Sequence, residues 1–201
     1  NDILWIPFYH ELAGKLIAYK DNRQALLKQL HEIFQHIGMP SPFVEKAEPM
    51  TDVDPFSVFG CFNKGLTNAN RTKILTGFAR QFNLKATVPT NFDGIPTLNN
   101  LKAFFFAFRD HPKRGERDID NLWEVFDNAL HYADTLTEPY KTNLIKYYDI
   151  VRKQKCVNWN ITMGLYWIRP NTFINLDSRN REFISDVDNM PHYFTASIAN
   201  L

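Results

Sequence analysis

The chain has 201 residues, and its hydrophobic share of 44% and aromatic share of 14% are typical of a globular protein and exclude a disordered one. Its 23 Lys and Arg residues nearly balance its 22 Asp and Glu residues, which leaves a formal charge of +1. This balance excludes an overall electric field that would attract a polyanion. Any contact with nucleic acid therefore has to come from a local basic patch.

No linker rich in Gly, Ser or charge divides the chain, so we expect one domain over 1–201 with a loose tail at 190–201. No apolar run approaches the roughly eighteen residues of a membrane span, and the first residues lack the basic segment of a secretory signal. We therefore expect a cytoplasmic protein without membrane contact. Because the chain does not begin with Met, we also expect it to be a segment of a longer protein.

The first part of the chain predicts two helices with a break between Lys20 and Arg23. Asp21 is the predicted N-cap of the second helix, and Gly38 is its predicted end. Apolar side chains recur at three- and four-residue spacing and place one apolar stripe on this helix. The stripe consists of Leu26, Leu27, Leu30, Ile33, Phe34 and Ile37.

The middle of the chain predicts shorter helices. Asp54 followed by Pro55 is typical of a helix start, and Gly65 is the predicted end of that helix. Asn70 is the predicted cap of the next helix. Residues 83–97 predict an ordered loop, and a further helix is expected to begin at residue 99 or 100 and to include the Phe-rich run 101–108.

The second half predicts an exposed polar loop at 109–118 and helices at 119–136 and 138–154. Over 159–176 the alternation of apolar residues fits a short β element, but Thr162 as a cap and Pro170 as a stop favour a helix. Asp177 is the predicted cap of a last helix through Ile184. The sequence therefore predicts a mainly α, single compact multi-helix domain.

Several catalytic classes lack their motifs. The chain contains no GxxxxGK[ST] phosphate loop, no GxGxxG, no HExxH and no GxSxG. No Asp or Glu is followed two residues later by Lys, which excludes nucleases that need an acidic-x-Lys pair. His31 and His36 are five residues apart and share a helix face poorly, so we expect neither a metal nor a cofactor in this chain.

Polar and basic residues gather around one predicted helix start, directly after an aromatic run. Backbone amides at such an end, with Arg and side-chain amides nearby, can contact phosphates or base edges. The alternative is that the Asn residues only cap the helix and that Arg71 pairs with an acid such as Asp54. The candidate DNA-binding residues of this segment are Asn63, Lys64, Asn68, Asn70, Arg71 and Lys73.

Two further segments combine aromatic and basic residues. Tyr166, Trp167 and Arg169 follow Trp159, and aromatic rings beside Arg can stack on unpaired bases. Two tryptophans in an apolar run are also typical of a core. Arg179 and Arg181 can contact phosphates or form internal ion pairs.

Four blocks carry a family resemblance: DVDPFSVFGCFNKGLTNANRTKIL (52–75), FDGIPTLNNLKAFFF (92–106), IDNLWEVFDNAL (119–130) and NWNITMGLYWIRPNTFINLDSRNREFI (158–184). In this order and spacing they resemble the region that precedes the AAA+ motor in McrB-like restriction proteins. The resemblance covers most of the chain, up to about residue 191.

The resemblance implies that the motor, with its NTP and Mg, and a separate nuclease subunit lie outside these residues. It also implies that this domain recognises DNA, in some relatives at a modified base, and acts in antiviral defence without catalysing a reaction itself. The sequence does not resemble the N-terminal module of the methylcytosine-reading member. The resemblance therefore names no particular base.

Three functions follow as hypotheses. The first is a non-catalytic DNA-recognition module, and the second is a protein-interaction module that docks the motor onto a partner subunit. The near-neutral charge favours the second. The third is a base-excising or base-modifying enzyme, which needs a buried acid beside Trp159 or Trp167, and Asp177 is the only acid near enough in sequence.

Overall fold

The computed structural model describes residues 4–100, 103–186 and 189. The α-helices in these residues are α1 (Ile6–Leu16), α2 (Arg23–His36), α3 (Pro55–Gly60), α4 (Asn68–Gln81), α5 (Asp118–Thr135), α6 (Glu138–Val151), α7 (Asn160–Ile168) and α8 (Ser178–Ser185). A 3₁₀ turn, Ile17–Tyr19, joins α1 to α2. Strands β1 (Val44–Glu45) and β2 (Glu48–Pro49) form an antiparallel pair. The predicted mainly α fold is confirmed.

Side-chain caps begin several of these helices. Asn22, and not the predicted Asp21, caps α2 by accepting the Ala25 N–H at 3.3 Å. The end of α2 agrees with the prediction, because Gly38 lies just beyond it at φ +64°, where glycine has no steric penalty.

Asp54 caps α3 as predicted, and its Oδ1 accepts the Ser57 N–H at 3.0 Å. The helix ends at Gly60, earlier than the predicted Gly65. Beyond the helix end, the carbonyl of Asn63 accepts the N–H of Leu98 at 2.8 Å, a contact between distant segments that no local pattern predicts.

Thr67 caps α4, with its Oγ1 accepting the Asn70 N–H at 3.2 Å. The prediction that Asn70 is the cap was therefore wrong by three residues. Both residue types are typical of helix starts, but Thr67 has the extended backbone of a cap, whereas Asn70 lies inside the helix.

The predicted helix through 101–108 was wrong for the residues that the structure describes there, because 103–108 form no helix. Contacts with α3 hold this segment in an irregular conformation. Phe105 donates its N–H to Ser57 Oγ at 2.8 Å, and the carbonyl of Ala103 lies so close to Gly60 that a Cβ there would clash. The apolar run is thus buried by tertiary contacts and not by helical periodicity.

Helices α5 and α6 pack against each other as a hairpin whose turn contains Leu136 at φ +55°. Helix α7 is buried between α1, α3 and α5, which agrees with the helix predicted over part of 159–176. The described residues 159–176 contain no strand, so the alternative β element was wrong. Thr162 lies inside α7 and does not cap it.

Buried apolar side chains from α1 to α7 form one core. Its largest fully buried members are Trp5, Phe8, Tyr9, Phe43, Phe56, Phe59, Phe62, Phe78, Phe105, Trp123, Phe126 and Trp167. None of the helices in the described residues combines the length and the apolar character needed to span a bilayer. The tail predicted at 190–201 lies outside the described residues.

Candidate nucleic-acid interface

The first predicted DNA-binding segment is divided between the core and the surface. Asn63 is fully buried, and its Oδ1 accepts the hydroxyl proton of Tyr9 at 2.7 Å. Arg71 is only 5% exposed and donates from Nε to the carbonyl of Phe62 at 2.8 Å and from Nη2 to the carbonyl of Lys64 at 3.2 Å. These two candidates stabilise the junction between α3 and α4.

The guanidinium of Arg71 also lies over the ring of Phe92, 4.7 Å from its centroid. Burial lowers the pKa of Arg71, because the charged form loses solvation. The predicted alternative of an ion pair with Asp54 was wrong, since no carboxylate in the described residues pairs with Arg71. Two backbone carbonyls and the Phe92 ring take the place of a carboxylate partner for Arg71.

The other candidates of this segment remain accessible. Asn68, Asn70 and Lys73 are exposed on α4, and Lys64 is half-buried just before that helix. These four side chains lie around the α4 N-terminus, but the two central members of the prediction, Asn63 and Arg71, are in the core.

The second predicted segment is mostly core. Trp167 is fully buried and donates from Nε1 to the carbonyl of Pro96 at 2.9 Å. Arg169 is 6% exposed and binds Asp134 through two hydrogen bonds, from Nε at 2.9 Å and from Nη2 at 3.1 Å. The Arg169 hydrogen bond holds the pKa of Asp134 below its usual value. Tyr166 is half-buried against Trp5.

The third predicted segment lies on α8. Arg179 is exposed, whereas Arg181 places its guanidinium 4.8 Å from the ring centroid of Trp159 and donates to the carbonyl of Leu176 at 3.2 Å. Asp177 caps α8 by accepting the Asn180 N–H at 2.9 Å, so its carboxylate is used as a cap. This capping role leaves the base-modifying hypothesis without its suggested acid.

Beside Trp159 and Arg181 lies a surface cleft of about 920 Å³. Three segments form it: the loop before α5, the turn between α6 and α7, and α8. Its cationic side chains are Lys113, Arg152, Lys153, Lys155 and Arg181. Asp118 is its single acidic side chain, which makes the cleft strongly basic in a chain of near-zero net charge.

The cations of the cleft are largely free of carboxylate partners. Arg152 pairs with Asp149 through Nε at 3.1 Å, but among the described residues the other four cationic side chains form no ion pair. Asp118 is 7% exposed, and its Oδ2 accepts the Gly115 N–H at 2.8 Å. The positive potential of the cleft is therefore not neutralised internally.

The turn between α6 and α7 is held in an unusual conformation. Cys156 and Asn158 have left-handed backbones, with φ +75° and +45°. This conformation is costly for most residues other than glycine and asparagine, so at Cys156 it persists only where surrounding contacts fix it. One such contact is Gln154 Nε2, which donates to the carbonyl of Asp118 at 3.0 Å.

The cleft joins the second and third predicted segments at one edge, through Trp159 and Arg181. The first segment does not line it. Sequence reasoning missed Lys113, Arg152, Lys153 and Lys155 as site residues. The signal available was the cluster of three cations in RKQK at 152–155, beside an aromatic residue and close to the polar loop 109–118.

One family comparison describes nearly the whole chain. A family model described as a domain of unknown function, DUF8425, matches residues 5–197. The chain belongs to this family. No curated protein and no solved structure matches the chain. The family description names no activity, and it does not connect the chain to McrB-like proteins.

The described part of the chain contains no cluster of potential metal ligands. No group of three or more His, Cys, Asp or Glu side chains is close enough there to hold a metal ion. The chemistry that the cleft itself offers is cationic and aromatic, which suits an anionic ligand with planar rings.

Proposed function

We propose that this domain is a non-catalytic DNA-binding module and that the basic cleft beside Trp159 holds the DNA backbone. The observation that carries the proposal is the grouping of five cationic side chains around one cleft, four of them without a carboxylate partner in the described residues. Phosphate contacts of this kind supply most of the affinity in DNA complexes that are not sequence-specific.

The proposed interface excludes four of the predicted DNA-binding residues. Asn63, Arg71, Trp167 and Arg169 are buried with internal partners. They can stabilise the module but cannot reach a ligand in this conformation. Arg181 is kept from the prediction. Six other predicted residues are at least partly accessible, and the experiment below compares two of them, Lys64 and Lys73. The six are Lys64, Asn68, Asn70, Lys73, Tyr166 and Arg179.

The wider role that we propose is the one that the resemblance implies. The domain acts as the recognition part of a McrB-like, nucleotide-driven antiviral restriction system in the cytoplasm. The AAA+ motor and a separate nuclease subunit supply NTP hydrolysis and DNA cleavage. The rival role is a module that docks the motor onto its partner subunit.

A binding titration tests the proposal. Fluorescence anisotropy measures the affinity of the domain for a labelled short DNA at about 50 mM and about 200 mM salt. We expect the double substitution Lys153→Ala/Lys155→Ala to weaken binding at low salt and to reduce the slope of log K against log salt by about two.

The matched control removes two positive charges elsewhere. Lys28 and Lys141 are exposed on α2 and α6 outside the cleft, and we expect Lys28→Ala/Lys141→Ala to leave the slope nearly unchanged. Lys64→Ala/Lys73→Ala compares the α4 surface in the same way. If no DNA binds at low salt, or if the control lowers affinity as much as the cleft variant, the DNA-binding proposal fails and the docking role remains.

A further inference from the structure

We infer that the cleft binds an unpaired nucleotide, whose base stacks on Trp159, so that the domain prefers single-stranded DNA to a duplex. This inference rests on the proposed function and names the form of DNA that the same site takes. It adds a stacking surface and a base pocket to the phosphate contacts.

Trp159 is the least buried of the four tryptophans. All four tryptophans of the chain lie in the described residues, and Trp5, Trp123 and Trp167 are fully buried. Trp159 is half-buried and lines the cleft. A partly exposed indole ring among cationic side chains is the combination by which proteins that bind single strands hold their ligand.

A small side pocket next to the cleft provides the space for a base. It is lined by Tyr148, Asp149, Arg152, Asn158 and Trp159 and has a volume of about 80 Å³. This volume is several times the roughly 10–15 Å³ that a single water molecule needs, so the pocket can admit a small planar group. This capacity suits one pyrimidine ring.

The side pocket is placed so that the base and the backbone can bind together. Arg152, Asn158 and Trp159 line both the side pocket and the cleft, whereas Arg181 lines the cleft alone. The Arg181 guanidinium lies 4.8 Å from the Trp159 ring centroid, and Arg181 does not line the side pocket, so we place the base on the side-pocket side of the ring.

Polar groups in the side pocket can bind the edge of a base. The carboxylate of Asp149 accepts one hydrogen bond from Arg152 and has acceptor capacity left, and the Asn158 side chain offers a donor and an acceptor. Burial raises the pKa of Tyr148, which keeps its hydroxyl protonated as a donor at neutral pH. Bases inside a duplex cannot reach such a recessed ring without leaving the stack.

Intrinsic fluorescence provides a direct test. Because the other three tryptophans are fully buried, quenching by added unlabelled DNA reports on Trp159. We expect a single-stranded oligonucleotide to quench the emission, and a blunt duplex of the same length and charge density to quench it far less. The variant Trp159→Phe should lose the quenching while it keeps a stacking ring.

Affinity measurements on variants separate this inference from the proposed function. Base stacking contributes roughly 1–3 kcal/mol, which corresponds to about 5-fold to 150-fold in affinity. We expect Trp159→Leu to weaken single-strand binding by a factor in this range and to change duplex binding little. The variant Lys153→Ala/Lys155→Ala should weaken both.

The outcomes are distinct. Equal affinity for single strand and duplex, with no quenching, overturns the stacking inference and leaves the backbone-binding proposal intact. The same conclusion follows if Trp159→Leu is folded and weakens binding to single strands and to duplex equally. Absence of all DNA binding overturns both the inference and the proposed function.

Discussion

Arg71 donates its Nε proton to the carbonyl oxygen of Phe62 at 2.8 Å across the junction of α3 and α4. A second hydrogen bond joins Arg71 to the carbonyl of Lys64. The guanidinium thereby satisfies two backbone acceptors that follow the end of α3. We conclude that this residue, which resembles a phosphate ligand in sequence, acts as an internal clamp.

We therefore predict that Arg71→Ala lowers the free energy of unfolding by about 3 kcal/mol, because it leaves the buried Phe62 carbonyl without its Arg71 donor and removes the contact with Phe92. Chemical denaturation with urea measures this change. The matched control is Arg80→Ala, at an exposed position of the same helix, which we expect to cost less than about 0.5 kcal/mol. Similar stability of the two variants would contradict the clamp.

Asp54 gives the stability a pH dependence. Its carboxylate is fully buried, and burial raises its pKa to about 6 from the usual 3.8, although hydrogen bonds from Ser57 oppose the shift. The folded state therefore binds this proton more tightly than the unfolded state. The contribution of Asp54 to stability is greatest below pH 3.8 and falls as the pH rises through about 6.

We predict that Asp54→Asn removes this dependence, since Asn also caps helices but does not titrate. The difference in free energy of unfolding between Asp54→Asn and the wild type should shift in favour of the variant by about 2 kcal/mol between about pH 4 and about pH 7. Urea denaturation at a series of pH values measures it. A constant difference over this range would show that the carboxyl group has an ordinary pKa.

The contribution of Asp134 to stability should depend on pH in the opposite sense. Because its pKa is lowered by the hydrogen bond from Arg169, its contribution to stability is present above the unfolded value of 3.8 and is lost as the pH falls through the lower, folded value. Asp134→Asn should cost about 1 kcal/mol at neutral pH, a modest value since the Asp134 side chain is 51% exposed.

The measurement is again the pH dependence of urea unfolding. The cost of Asp134→Asn should disappear in acid, where the wild-type carboxylate is protonated as well. Asp110→Asn is the control: Asp110 pairs with Lys46, but its side chain is 63% exposed, so we expect this substitution to cost little at any pH. If the cost persists in acid, the negative charge of Asp134 is not the source of its contribution to stability.

Gly164 in α7 and Gly14 in α1 offer a matched pair for testing how tightly α7 is packed. A Cβ at Gly164 would lie 2.6 Å from Cδ1 of the buried Phe56, whereas a Cβ at Gly14 would meet nothing within 4 Å. We predict that Gly164→Ala costs about 1–2 kcal/mol through overpacking, although it gains helix propensity. Gly14→Ala should gain up to about 1 kcal/mol. Thermal unfolding of both variants checks the opposite signs.

Local sequence patterns predicted the parts of the fold that local interactions determine. The caps at Asp54 and Asp177 and the break after Gly38 follow from side chains within three residues of the helix ends. The Phe-rich segment 103–108 could not be predicted in the same way, because the Ser57 hydroxyl and the space at Gly60 that fix it are more than forty residues away.

The candidate site was predicted only in part for a related reason. Its cations come from a loop, a turn and α8, and each of them alone resembles an ordinary solvated residue. Trp159 and Arg181 were noticed because of their aromatic and basic neighbours. The burial of Arg71 and Trp167 depends on where Phe62 and Pro96 lie in the fold, which spacing along the chain does not reveal.

The two thiols of the chain differ in their environments. Cys61 is buried, and burial raises its pKa, whereas Cys156 is exposed in the left-handed turn that lines the cleft. A maleimide dye should consequently attach to Cys156 and spare Cys61 in the folded protein. The natural sequence thus already contains an attachment point for a spectroscopic reporter at the rim of the proposed interface.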